Sequence, residues 1–264
     1  MPNRIEAVVV CVDYTDFLAE TLPFLLPHVD DVVVVTTPED GRTKGVCHRL
    51  GVRCLPTHAF FQWGDKFNKA RGINYGLANL RKDGWLLHLD ADIALPARSR
   101  WLMNLACLDE RKLYGVDRVN VVGRQAWDDY KRDRPIQYAS SCRLDPPRGH
   151  ELGSRLLHLG FGGYCPIGYF QLWHPGTSGI IRYPDSAADS AEHSDVNHAI
   201  QWDREDRELL PEIIAMHLVT KGAGQGLAYG VNWRGRLSPE FNVAESPYRA
   251  SPPRVAKSVR SYGS

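Results

Sequence analysis

Residues 85–92 read Trp85-Leu86-Leu87-His88-Leu89-Asp90-Ala91-Asp92. The bulky run from Trp85 to Leu89 predicts a strand covered on both faces, and it runs straight into two carboxylates with one residue between them. Upstream, Asp83-Gly84 marks a turn. Before it, Lys66 to Leu80 predicts a helix, with Phe67, Ala70, Ile73, Leu77 and Leu80 on one face. Further upstream, Ala7–Val12 and Val32–Val35 read as buried strands. The stretch Asp16–Leu26 between them has helical spacing at Phe17, Leu18, Leu22, Leu25 and Leu26. Strand, helix, strand predicts an α/β fold with a mostly parallel central sheet flanked by helices.

Downstream, Arg98–Leu108 and Ser194–Arg204 read as helices, and Val119–Val122 and Ile213–Leu218 as strands. The mixed charges of Asp128–Arg134 read as a solvated turn or short helix. Residues 138–190 are rich in Gly, Pro, Ser and Tyr and suggest loops over a site. Lys221–Gly230 carries Gly222, Gly224, Gly226 and Gly230 and reads as a flexible loop, a candidate lid. Residues 246–264 contain Arg249, Arg254, Lys257 and Arg260 but no acid, which suggests a flexible tail after a single domain of residues 1–245.

The chain has 264 residues, 43% apolar and 24% charged, with formal net charge +1. That balance excludes binding to nucleic acid through bulk charge and leaves room for a local basic patch. No apolar run approaches the roughly 20 residues of a membrane span. With no secretory signal read at the N-terminus and no CxxC among the six cysteines, a cytoplasmic protein with reduced thiols is expected. The first strand is followed by Asp13-Tyr14-Thr15-Asp16 rather than GxGxxG. There is no phosphate-loop motif, HExxH or GxSxG. These absences disfavour a dinucleotide dehydrogenase, a P-loop ATPase, a zincin and a serine hydrolase.

Asp90 and Asp92 leave the sheet where ligands collect in open α/β folds. Carboxylates in a partly dry setting call for a divalent cation, Mn²⁺ or Mg²⁺, shared with substrate phosphates. A turn whose aspartates cap the next helix or meet arginines is the plainer alternative.

The surrounding block is more specific. Phe67-Asn68-Lys69-Ala70, then Ile73-Asn74-Tyr75-Gly76-Leu77, then the strand and Asp90-Ala91-Asp92, resembles the β-1,4-galactosyltransferase family, and more widely the family 2-like GT-A glycosyltransferases. Weaker correspondences follow in order. Gly160-Phe161-Gly162-Gly163 resembles a sugar-pocket segment and Tyr183-Pro184 a G-F-P segment. Ser194-Asp195-Val196 is similar to the segment placing a catalytic aspartate, and Met216-His217 to the one completing the metal site. The family's W-G-W-G-G run is missing, and Ser194 stands where Glu is usual.

The resemblance implies a GT-A fold and a metal-dependent, inverting transfer of a sugar from a nucleotide-diphosphate donor, a UDP-sugar, to an acceptor hydroxyl. It implies Asp90, Asp92 and His217 around Mn²⁺ or Mg²⁺, and Asp195 as the base. Asp13, Tyr14, Glu39, Phe67, Lys69, Arg71, Asn74, Asp90, Gly162 and Gly163 would serve the donor. Plainer readings stay open: Asp195 as an N-cap, His217 as a core histidine, and Glu39-Asp40 as part of a turn. His193 and His198 compete with His217. Trp63, Tyr164, Trp173 and Trp233 could stack on sugar rings or simply be packed. The acceptor is open: a glycan, a small molecule, a protein, or a hydroxylated DNA base that would have to leave its stack. A sugar-nucleotide nucleotidyltransferase and a non-catalytic nucleotide-binding module are the alternative functions.

Overall fold

The structure, a computed structural model, describes residues 4–65, 67–133, 150–152, 157–158, 163–167, 169–185, 191–221, 227–228 and 231–233. Expectations for Gly160, Phe161, Gly162, residues 222–226 and the 246–264 tail lie outside them, as does the side chain of His193.

The chain opens as a run of βα units. Strand β1 (Ile5–Val10) leads to helix α1 (Thr15–Leu25), β2 (Asp31–Thr36), α2 (Gly41–Arg49) and β3 (Arg53–Pro56). Helix α3 (Lys69–Ala78) then leads to β4 (Trp85–Asp90). All four strands are parallel, in the order β3-β2-β1-β4. The first strand starts at Ile5 rather than Ala7 and so includes Glu6, which is fully buried. Its carboxylate accepts the backbone N–H groups of Arg81 and Lys82 and so anchors the turn into β4.

The second half completes the sheet. Short β5 (Ile93–Ala94) and helix α4 (Ser99–Leu105) precede β6 (Leu113–Val122), which is longer than its apolar tip Val119–Val122 suggests. The mixed-charge stretch belongs to helix α5 (Gly123–Asp133), whose Ala126, Trp127 and Tyr130 are buried. Three short strands follow: β7 (His150–Leu152), β8 (Leu157–His158) and β9 (Gly163–Tyr164). Then come β10 (Gln171–Trp173), the single turn α6 (Pro175–Ser178), α7 (Ala191–Ala199), β11 (Arg207–Lys221) and β12 (Leu227–Ala228).

Strand β10 lies antiparallel between β4 and β6, whereas β6 and β11 run parallel along most of their length. Strand β11 extends well beyond Ile213–Leu218. It runs through Pro211, where its register against β6 shifts, as a residue without a backbone N–H requires. The long pairings of the sheet are the parallel ones, and helices flank it, as the sequence predicts.

The sheet separates two cores. On one side α1 packs over Ala7, Val9, Leu87 and Leu89. On the other, Ala70, Ile73 and Leu77 of α3 and Val196 and Ala199 of α7 cover Val8, Val33, Val35 and Leu86. Gly76 is a close approach: a Cβ there would lie 2.1 Å from Val8 Cγ2, so α3 sits tight on β1. Alternation along β4 therefore sends Leu86, His88 and Asp90 towards α3 and α7.

Candidate functional site

The site forms at the carboxyl edge of the parallel strands. Helix α3 is a crossover between parallel strands, so it runs back along the sheet and its first turn lies at that edge. Asn68 caps it, accepting the Arg71 N–H at 3.1 Å. The cap places Lys69 over the end of β4, with its ammonium 2.7 Å from Asp90 Oδ1 and 3.0 Å from Asp195 Oδ2 of α7. One buried cation thus joins the first carboxylate of the Asp90/Asp92 pair to the expected base. Burial opposes ionisation of Asp90, but Lys69 outweighs it and holds this carboxyl below the ordinary carboxylate range.

Asp92 is placed differently. Strand β5 turns back onto β11, with His217 opposite Ile93, and the Leu218 N–H donates to the Asp92 carbonyl at 2.9 Å. The Thr21 hydroxyl of α1 donates to the Ala91 carbonyl at 2.6 Å. These bonds fix the turn and bring His217 Nε2 within 3.3 Å of Asp92 Oδ2. The other ring nitrogen, Nδ1, lies 3.0 Å from Asn120 Oδ1, an acceptor. With the Asn120 amide oxygen turned to the ring, Nδ1 carries the hydrogen, which is the arrangement that leaves Nε2 able to bind a metal.

A carboxylate oxygen and an imidazole nitrogen so converged fit a divalent cation, and the mixed donors suit Mn²⁺ over Mg²⁺. Among the described residues, no cluster of three His, Cys, Asp or Glu side chains could hold a metal ion. A cation here would draw its remaining ligands from water and a bound anion, as such ions commonly do with phosphates.

Beneath Lys69 is a polar network that the sequence reading missed. His88 is fully buried, with Nδ1 3.0 Å from Tyr183 Oη and Nε2 3.6 Å from Asp90 Oδ1. Burial, reinforced by Lys69, pushes its imidazole down to about 3. The Tyr183 hydroxyl also meets Gln171 Oε1 of β10, and His198 stacks on the Tyr183 ring at 3.7 Å. Burial, and then Asp195 and Asp90, raise the Tyr183 phenol well above its ordinary range. His88 was hidden because it interrupts an apolar run by one residue. Its parity with Asp90 along the strand was the available signal.

The other expected residues fall into groups. Asn74 exchanges two hydrogen bonds with the Tyr183 backbone, at 2.9 and 2.7 Å, and so holds the Tyr183-Pro184 segment. The Arg71 guanidinium is engaged by Asp65, Asp185 and the Gln62 carbonyl, and lies 4.0 Å from the centre of the Trp63 ring. Phe67 is buried and stacked on Phe60, a core role. Asp13, at the end of β1, has φ of 53°, a left-handed conformation that costs a non-glycine residue energy. Its N–H donates to Asp40 Oδ2, while Asp40 Oδ1 caps α2 through Thr43. Of the Glu39-Asp40 pair, Asp40 is thus the buried organiser, and Glu39 is exposed, facing His58 at 3.5 Å. Tyr14 is buried edge-on against Phe17, which meets Trp233 likewise. Gly163 has φ of 116°, and a Cβ there would lie 3.1 Å from Arg204 Nε. Trp173 is buried, and His198 is a core residue rather than a rival to His217.

No protein-family model matches the chain, and no curated protein matches it. Solved structures do show a likeness. Glucosyl-3-phosphoglycerate synthase from Mycobacterium tuberculosis, in complex with Mn²⁺, UDP and phosphoglyceric acid, is 16% identical over 43% of this chain and 43% of that one, with a TM-score of 0.34. In its complex with Mn²⁺, UDP and glucosyl-3-phosphoglycerate, the same enzyme is 11% identical over 82% and 70%, with a TM-score of 0.46. Mannosyl-3-phosphoglycerate synthase from Rubrobacter xylanophilus is 18% identical over 46% and 41%, with a TM-score of 0.33. The matched region thus spans less than half of the first and third of these. Among the described residues, no helix is long and apolar enough to cross a membrane.

Proposed function

We propose that this chain is a metal-dependent glycosyltransferase of the GT-A class, moving a sugar from a nucleotide-diphosphate donor, a UDP-sugar, to an acceptor hydroxyl with inversion. The observation that carries this reading is the meeting of Asp92 and His217 at 3.3 Å, with Asn120 orienting the histidine, beside the Asp90–Lys69–Asp195 chain. The resemblance of residues 67–96 to the β-1,4-galactosyltransferase block adds to it.

Asp92 Oδ2 and His217 Nε2 would hold Mn²⁺, which when bound supplies Lewis-acid neutralisation of the departing diphosphate. Lys69 adds a positive charge at the same edge and holds the Asp90 carboxyl below its ordinary range. Asp195 accepts the proton of the attacking hydroxyl; it lies in the middle of α7 rather than at its N-cap, and the helix keeps its carboxylate beside the end of β4 through Lys69. Asp90 steadies Lys69 and faces the donor from the end of the sheet. Asp13 and Tyr14 close the nucleotide side of the rim.

A panel of nucleotide sugars with Mn²⁺ tests the reading. A true donor stabilises only the folded state, so one sugar nucleotide should raise the melting temperature most and should be turned over with release of its nucleoside diphosphate. Turnover that consumes or forms pyrophosphate would instead indicate a nucleotidyltransferase. Binding without turnover would indicate a module that has kept the fold.

A further inference from the structure

The buried network under Lys69 has only one consistent assignment of hydrogens. Gln171 Nε2 lies 2.7 Å from the Pro166 carbonyl and 3.0 Å from the Asp195 carbonyl. Carbonyls only accept, so the NH₂ end of the amide faces them and Oε1 faces Tyr183. Oε1 also only accepts, so the single hydrogen of the Tyr183 hydroxyl goes to Gln171. Towards His88 Nδ1, 3.0 Å away, Tyr183 Oη can then act only as an acceptor. His88 Nδ1 must therefore carry a hydrogen. The remaining nitrogen, Nε2, is buried, has no hydrogen-bond partner among the described residues, and lies 3.6 Å from Asp90 Oδ1, the oxygen that holds Lys69.

A bare, buried nitrogen facing a carboxylate alone would be repelled. The Lys69 ammonium makes no direct hydrogen bond to Nε2, but it sits on the same Asp90 oxygen and its positive charge offsets that repulsion. We infer that His88 is a positioning residue: locked as the Nδ1–H tautomer by Tyr183 and Gln171, it presents its Nε2 lone pair to the Lys69 ammonium and so fixes Lys69 between Asp90 and Asp195. The inference deepens the glycosyltransferase reading, because the residue so fixed holds the expected base. The Asp195 carbonyl on Gln171 closes the loop, since the same network that orients His88 also grips the α7 backbone at the base.

Two substitutions separate this role from packing. His88→Asn offers a donor near the Nδ1 position but nothing at Nε2. His88→Gln reaches the Nε2 position with an acceptor. The inference predicts that His88→Gln keeps most of kcat, whereas His88→Asn loses about 100-fold, the scale of an ångström-sized misplacement. A packing role ranks the two equally or in reverse, and either result overturns the inference.

A second measurement does not depend on activity, and its first arm needs no variant. Long-range ¹H–¹⁵N correlation spectra of the wild-type imidazoles should show His88 protonated at Nδ1 and bare at Nε2. In the Tyr183→Phe protein, which lacks the acceptor, the proton should redistribute towards Nε2. A wild-type His88 with hydrogen on Nε2, alone or on both nitrogens, contradicts the inference and leaves the transferase reading standing. The expected tautomer in a protein that binds no sugar nucleotide sinks the transferase reading and supports the hydrogen assignment alone.

Discussion

Asp90 and Asp92 are separated by one alanine, yet the fold compensates their charges in different ways. Asp90 ends β4 on the face covered by α3 and α7 and meets an ammonium at 2.7 Å. Asp92 lies past the strand end, beside β11, and meets an imidazole whose facing nitrogen is an acceptor when the ring is neutral. The protein supplies the positive charge for the first. For the second it supplies a pair of donor atoms that would repel each other unless a proton or a metal ion came between them. The inner half of the motif is therefore an ion-pair scaffold around the proposed base, and the outer half is the proposed binding position. A two-carboxylate motif need not mean two equivalent metal ligands.

The comparison breaks first at Asp195. Asparagine keeps the shape and removes the proton acceptor. Asp195→Asn should therefore lower the transfer rate by about 10²- to 10⁴-fold, the usual weight of a general base, with donor binding nearly intact. Single-turnover kinetics beside a donor titration will show it, and a full transfer rate would remove Asp195 from the role of base.

The next largest effect belongs to Lys69. Lys69→Met leaves the buried Asp195 and the partly exposed Asp90 without their cation and should destabilise the fold by at most about 3–5 kcal/mol at neutral pH, the cost of breaking a fully buried pair. The pH dependence gives a second check. A folded-state carboxyl held below its ordinary value binds protons more weakly than it does in the unfolded chain, so the stability it adds is complete above about pH 4 and is lost as pH falls through the lowered value. The gap between wild type and Lys69→Met in chemical denaturation should therefore narrow on acidification. A constant gap from neutral pH to well below 4 would mean that Lys69 acts by packing.

The outer half is sharpened by a smaller change. Asn120→Leu removes the acceptor on His217 Nδ1 without touching the proposed ligand atom. It should weaken Mn²⁺ binding by about 10- to 100-fold, as loss of a metal ligand's orienting partner generally does, and leave Lys69 and its carboxylates undisturbed. Unchanged Mn²⁺ affinity would show that His217 is not a ligand.

The inner and outer halves were also unequally legible in the sequence. The βα frame, α3 and the Asp90/Asp92 turn follow from local patterns: period-3.6 apolar residues in 67–80, a bulky strand at 85–89 and an Asp-Gly turn before it. Helix α2 carried no such pattern, since only Thr43, Val46 and Cys47 of its nine residues are buried. Strand β10 is three residues inside a Gly- and Pro-rich stretch. Its place between β4 and β6 comes from pairing with distant strands, which no local window records. Lys69, Asp195 and His217 were named from a family-like order of motifs, but not the ion pairs that join Lys69 to both carboxylates. His88, Gln171 and Asn120 escaped notice because a buried polar residue within a strand looks like an interruption until its partners are in place.

The most direct test of a cation beside Asp92 is a calorimetric titration of UDP into the wild-type protein and into Asp92→Asn, each with and without Mn²⁺. Wild type should bind UDP at least about tenfold more tightly with Mn²⁺, a gain of about 1.4 kcal/mol, and Asp92→Asn should bind it weakly and equally in both conditions. Wild-type affinity indifferent to Mn²⁺, or an enhancement that survives in Asp92→Asn, would contradict the account.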